Sequence, residues 1–140
     1  MNMIIPIITL TASTLYAIYA KRLKITTYAK KFIGVPYAWA GTTPDGFDCS
    51  GFTKYVFNYA DTTLPRTANE QYEFATPVNK DDIQSGDLVF FKHNVNSPVK
   101  HVGIMLNNNE FIHASSSKGV TITPLTDTYW KPRIFAFGRA

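Results

Sequence analysis

The hydrophobic period of this chain changes once, and that change constrains the fold more than any other feature. In the first half, apolar residues recur at helical spacing. Thr26-Thr27 is positioned to cap a short helix carrying Tyr28, Ala29, Phe32 and Ile33, closed by Gly34. Asp48 is a good N-cap for a helix running to Tyr59, in which Phe52, Tyr55, Val56 and Tyr59 share a face. Thr67 with Glu70 three positions on forms a capping box that opens a third helix, ending at Phe74. Beyond that point the period becomes that of strands. Residues 87–91, 101–106, 110–114, 120–123 and 134–137 read as strands, with turns at 84–86 and at Asn107-Asn108-Asn109. Helices first and strands later predict an α+β domain, its N-terminal helices packed on a small, mostly antiparallel sheet.

Composition limits the alternatives. The 140 residues fit one domain and bury enough apolar surface for an ordinary core. With 45% hydrophobic and 14% aromatic residues, disorder is excluded. A single cysteine excludes a disulfide scaffold, and with three histidines it cannot match structural-zinc spacings. Thiol chemistry at that cysteine needs no metal or organic cofactor, and none is expected. The net charge of +4 draws on Lys21-Arg22-Leu23-Lys24 and Lys30-Lys31. That is too thin for a nucleic-acid partner, though a mild positive field suits an anionic polymer such as a cell wall.

The chain divides into an N-terminal apolar segment, residues 1–25, and a domain over residues 26–140. Residues 1–20 carry no charged side chain, and Lys21, Arg22 and Lys24 follow at once. A secretory signal, a membrane anchor of about 20 residues and an ordered helix all fit this pattern. The first two place the chain at the cell envelope and allow membrane contact through residues 1–20.

Chemistry centres on Cys49. A lone cysteine is usually a small buried hydrophobe. This one follows the loop Gly41-Thr42-Thr43-Pro44-Asp45-Gly46 and stands in the first turn of the helix behind Asp48. There, unpaired backbone N–H groups and the helix dipole favour a thiolate. Of the three histidines, His93 lies in a polar loop and reads as solvated. His101 and His113 are linked by register. A three-residue loop at 107–109 sets Leu106 against Glu110, Met105 against Phe111, Ile104 against Ile112 and Gly103 against His113. His101 then shares a sheet face with His113, at about 7 Å between side-chain origins, with open space expected over Gly103. Cys49 as nucleophile, His101 as base and His113 as the orienting group form a working triad. Two unrelated histidines on a half-buried sheet fit the same residues equally well.

Six blocks tip that balance. Tyr37-Ala38-Trp39-Ala40-Gly41, Asp48-Cys49-Ser50-Gly51-Phe52, Leu64-Pro65-Arg66-Thr67-Ala68-Asn69-Glu70-Gln71, Gly86-Asp87-Leu88-Val89-Phe90-Phe91, His101-Val102-Gly103-Ile104 and Phe111-Ile112-His113-Ala114 resemble, in order and spacing, the signature blocks of the NlpC/P60 cysteine peptidases. The resemblance runs from about Thr26 to the end. It implies a papain-like α+β fold and hydrolysis of amide bonds in bacterial peptidoglycan stem peptides, usually between γ-D-glutamate and the following diamino acid. It assigns Cys49 as nucleophile, His101 as base and His113 as the third polar residue; the helix terminus and His101 are then expected to hold Cys49 as a thiolate–imidazolium pair. Tyr37 matches a tyrosine near the oxyanion site. Asp48 and Ser50 flank the nucleophile where stem-peptide contacts are made, and Arg66 is structural or substrate-adjacent. One departure is Ala40, where the family commonly has glycine; if that position needs a positive φ, alanine strains the loop. No cysteine stands near the start, so lipid attachment there is not expected. Rival deployments of the same residues are an antibacterial amidase toxin paired with an immunity protein, a thiol acyltransferase, and a catalytically silent wall-binding module.

Overall fold

The computed structural model describes residues 9–140. The first eight residues of the apolar segment, and with them part of the signal-or-anchor reading, lie outside the described residues. The first helix, α1 (Ala12–Lys30), starts well before the expected Thr26. Thr11 caps it, its hydroxyl accepting the Thr14 N–H at 3.1 Å. Thr26 is instead buried inside the helix and returns its hydroxyl to the Arg22 carbonyl at 3.2 Å. The sequence signal misled because a threonine that satisfies its own side chain inside a helix looks the same in sequence as one that caps it. Only the last turns of α1 pack on the domain, through Ile25, Thr26 and Ala29. Leu15, Tyr16 and Tyr19 stand exposed. Among the described residues no helix is long and apolar enough to cross a membrane.

A two-strand hairpin, β1 (Thr42–Thr43) and β2 (Gly46–Phe47), follows, and neither strand has a sequence signature of useful length. Helices α2 (Cys49–Tyr59) and α3 (Ala68–Phe74) form where expected, each with the expected cap. Buried Gln71 locks them together. Its Nε2 donates to the Ser50 and Pro65 carbonyls at 3.1 and 2.9 Å, and its Oε1 accepts the Thr53 hydroxyl at 2.6 Å. A buried amide satisfied on every side fixes one arrangement of the two helices.

Strands β3 (Thr76–Val78), β4 (Leu88–Phe91), β5 (His101–Met105), β6 (Glu110–Ser115), β7 (Gly119–Pro124) and β8 (Ile134–Arg139) form one sheet in the order β3-β8-β4-β5-β6-β7. Every pairing is antiparallel. Alternation sorts the side chains. Leu88, Phe90, Val102, Ile104, Ile112 and Ala114 face the helices with Phe52 and Val56. Val89, Phe91, Met105, Phe111 and Phe137 face the other way and make a second core with Leu125 and Trp130. The sheet is therefore covered on both faces, which explains why β4 is one continuous apolar run. Strand β3 was not anticipated, because Pro77 argues against a strand; it is tolerated here on the sheet edge.

Candidate active site

The expected hairpin register holds. Ile104 faces Ile112, Met105 faces Phe111, and the Leu106 N–H donates to the Glu110 carbonyl at 2.9 Å. His101 and His113 consequently share the sheet face turned away from the helices, and their rings meet: His101 Nε2 lies 2.7 Å from His113 Nδ1. The space over Gly103 is not open as expected. A Cβ there would come within 2.9 Å of Phe111 Cδ2 and 3.3 Å of His113 Cβ, so the missing side chain lets both neighbours close over the strand.

The relay continues past what the sequence revealed. His113 is fully buried, and its Nε2 lies 2.9 Å from the Thr123 hydroxyl on β7. This fixes a consistent set of tautomers. A base-competent His101 keeps Nδ1 bare, so its Nε2–H donates to His113 Nδ1; His113 Nε2–H then donates to Thr123. Trp130 stacks on the His101 ring at 4.4 Å and 24°, and Phe91 packs against it at 5.6 Å. Thr123 lies on the strand expected over 120–123, set diagonally beside His113 by the short β6–β7 turn, whereas Trp130 belongs to no block or periodic face and only the chain's return path brings it here.

Cys49 reaches the relay from the end of β5. Its Sγ donates to the carbonyl of Lys100, the residue before His101, at 3.8 Å. The thiol opens into a groove of about 300 Å³ lined by Tyr37, Trp39, Asp48, Ser50, Asn69 and Lys100 among others. Trp39 is 91% exposed, an indole left in water on the groove wall. Asn69 holds the opposite wall, its Oδ1 accepting the Val99 N–H at 3.1 Å.

Asp48 serves three partners, one of them the Ser50 hydroxyl, which donates to its Oδ1 at 3.4 Å. Its carboxylate accepts the Gly51 N–H at 2.6 Å as the helix cap. It also takes a two-pronged ion pair from Arg66, at 3.1 and 2.6 Å. Arg66 in turn donates to Ser50 Oγ at 2.9 Å. The Asp48–Ser50–Arg66 cluster thus lies against the thiol, with Tyr37 on the same groove. His93 is exposed in its loop, as the polar context suggested.

Electrostatics departs from the expected thiolate–imidazolium pair. Burial, then the negative charge of Asp48, push the Cys49 thiol up to about 11, against the backbone N–H groups of Val102, Ser50 and Cys49. Burial, then His113 and His93, hold His101 well below the usual histidine range. Burial likewise lowers His113 to about 4. Desolvation outweighs the helix terminus, so the free site rests as a neutral thiol beside neutral imidazoles. Burial, with Cys49 and Asp48 nearby, also raises the Tyr37 phenol, which stays protonated and able to donate.

Ala40 takes φ +58°, the left-handed region its departure from glycine put in question. The next residue could not be changed at all, because a Cβ on Gly41 would collide with the Gly46 carbonyl oxygen. That turn carries the Gly41 carbonyl, which accepts the Asp48 N–H at 3.0 Å and so seats the start of α2.

A cysteine at a helix N-terminus, set against histidines on a flanking antiparallel sheet, defines the papain-like α+β class. The chain belongs to the NlpC/P60 family, whose match spans residues 34–139. It is 42% identical over 113 residues to a γ-DL-glutamyl hydrolase of Bacillus subtilis, covering 79% of this chain and 27% of that protein. It is 44% identical over 115 residues to a probable peptidoglycan endopeptidase LytE of Bacillus subtilis, covering 79% and 32%. A crystal structure of an NlpC/P60 family protein from Bacillus cereus superposes with a TM-score of 0.81 at 33% identity, over 84% of this chain and 39% of that one. The chain thus spans about a quarter to a third of these two relatives' lengths.

Proposed function

We propose that this chain is a cysteine peptidase of the cell envelope that hydrolyses peptidoglycan stem peptides, cutting between γ-D-glutamate and the following diamino acid. The observation that carries the reading is the hydrogen-bonded line His101–His113–Thr123, with the Cys49 thiol bonded to the carbonyl of Lys100, the residue before His101. The hydrolase names of the relatives point the same way.

The resting neutrality sets the order of events. Substrate enters the Cys49 groove and its carbonyl carbon approaches Sγ. As the S–C bond forms, the thiol proton passes to His101 Nδ1, and the new imidazolium is held by its Nε2–H bond to His113 Nδ1. His113 orients the base and keeps its tautomer without moving a proton itself. The N–H groups at the start of α2 and the Tyr37 hydroxyl meet the developing oxyanion, a contribution of about 3 kcal/mol per donor in comparable sites. His101 then protonates the leaving amine, the C–N bond breaks, and a thioester on Cys49 remains. Water, deprotonated by His101, attacks the thioester and restores the thiol. Asp48 and Ser50, braced by Arg66, face the acyl half of the peptide. Mass spectrometry of a defined muropeptide digest tests the reading. The expected products separate γ-D-glutamate from the diamino acid; cleavage elsewhere in the stem, or none, overturns it.

A further inference from the structure

Helix α1 leaves the domain with its first turns unsupported. Every residue from 9 to 19 is exposed, and the first buried side chain of the helix is Ile25. The exposed stretch carries Leu10, Leu15, Tyr16, Ile18 and Tyr19, the two tyrosines 72% and 63% exposed. No charged side chain precedes Lys21. The small polar groups are matched locally: the Thr11 hydroxyl lies 2.8 Å from that of Thr14 and 3.1 Å from that of Ser13. A helix end that is uncharged, rich in large apolar side chains and satisfied within itself gains by leaving water.

Charge then appears abruptly. Lys21, Arg22 and Lys24 crowd the helix where it meets the domain, and among the described residues none of them is ion-paired. Arg22 donates to the neutral Gln84 Oε1 at 3.1 Å and keeps its charge. Asp61 stands beside Lys21 and Lys24 but closes on neither. Tyr16 and Tyr19 lie within about two turns of these cations, at the level where amphipathic rings favour a membrane interface. From Ala12 to Ala20 the helix rises about 12 Å, most of the hydrocarbon depth of one leaflet. An uncharged helix end of that length, closed by a cationic collar, complements a bilayer with anionic headgroups. Moreover, α1 runs unbroken through Ala17 and Ala20, where export cleavage would need an opened chain. We infer that the exposed end of α1 is retained and inserts into one leaflet of an anionic membrane. Lys21, Arg22 and Lys24 then meet the lipid phosphates, and the domain is tethered at the membrane surface.

Sedimentation of the full chain with lipid vesicles tests it. The chain should pellet with vesicles of phosphatidylcholine and phosphatidylglycerol, and more weakly with phosphatidylcholine alone. Replacing Lys21, Arg22 and Lys24 together by Gln should weaken binding to the anionic vesicles about a hundredfold, about fivefold per charge. Leu15→Asp, at an exposed position, should release the chain from both kinds of vesicle. Tyr16→Trp reports depth: its emission should shift to the blue on binding and be quenched by lipids brominated in their acyl chains. A chain that stays in the supernatant, pairing through α1 or remaining alone, overturns the inference. So does binding that Leu15→Asp leaves intact with the Tyr16→Trp emission unshifted, which is adsorption by charge only. Recovery from cells of a shortened chain beginning after Ala20 also overturns it. The peptidase reading rests on other residues and stands under each of these results.

Discussion

A thiol held neutral at rest reacts with alkylating agents in a way that a preformed ion pair cannot imitate. With the Cys49 thiol pushed up to about 11, roughly one molecule in ten thousand carries a thiolate at pH 7. An ordinary cysteine, near about 8.5, is ionised in roughly three molecules in a hundred. The deficit is about 300-fold, of which the greater nucleophilicity of a more basic thiolate recovers about tenfold. Iodoacetamide should therefore alkylate folded Cys49 about 20- to 30-fold more slowly than the urea-unfolded chain at pH 7. The pH profile is the sharper reading. The folded rate, followed by intact mass, should climb about tenfold per unit from pH 6 to about 10. The unfolded chain should level off near about 8.5. A folded rate that is high and flat between pH 5 and 8 would show a thiolate already paired with imidazolium, and would refute the resting state assigned here.

Three further outcomes follow from named contacts. Ala40→Gly removes a left-handed alanine costing about 1–2 kcal/mol and adds about 0.4–1 kcal/mol of unfolded-state freedom. Thermal melting should rise by about 2–4 °C; a fall would mean the φ of +58° is not strained. Because His113 sits at about 4 in the fold against about 6.5 when unfolded, the unfolded chain binds the extra proton in that window. The contribution of His113 to stability should be full above pH 6.5 and fall by about 3 kcal/mol as pH drops through 4, a difference that urea titrations of the unsubstituted chain against His113→Asn should show. His101→Ala should abolish turnover, His113→Ala should reduce it less, and Thr123→Val, which loses one neutral hydrogen bond worth about 1 kcal/mol, should cost about fivefold in kcat. An equal loss in all three would remove the orienting roles of His113 and Thr123.

The readable parts of this chain are those where a local rule acts alone. The caps at Asp48 and Thr67 and the three-asparagine turn need no tertiary information, and the turn alone placed His101 and His113 on one face. The start of α1 was misread because Thr26 can cap or back-bond, and only packing decides which. Trp130 has no periodicity to mark it and reaches the histidines over an irregular loop, whereas Thr123 sits on the expected strand over 120–123 and could be placed beside His113 only once the register of the β6–β7 hairpin is known. The protonation of Cys49 is hidden from the sequence for a related reason. The helix terminus is legible in sequence, whereas the burial and the Asp48 charge that oppose it are properties of the assembled groove.

The role of the sulfur is the claim on which the rest depends. Incubating wild-type protein and Cys49→Ala with the same defined muropeptide, and following products by liquid chromatography with mass detection, addresses it directly. The account predicts complete conversion by the wild type and none by a variant whose circular dichroism and melting show the same fold. Continued release of the same fragments by Cys49→Ala would contradict it, and would place the nucleophile on another atom.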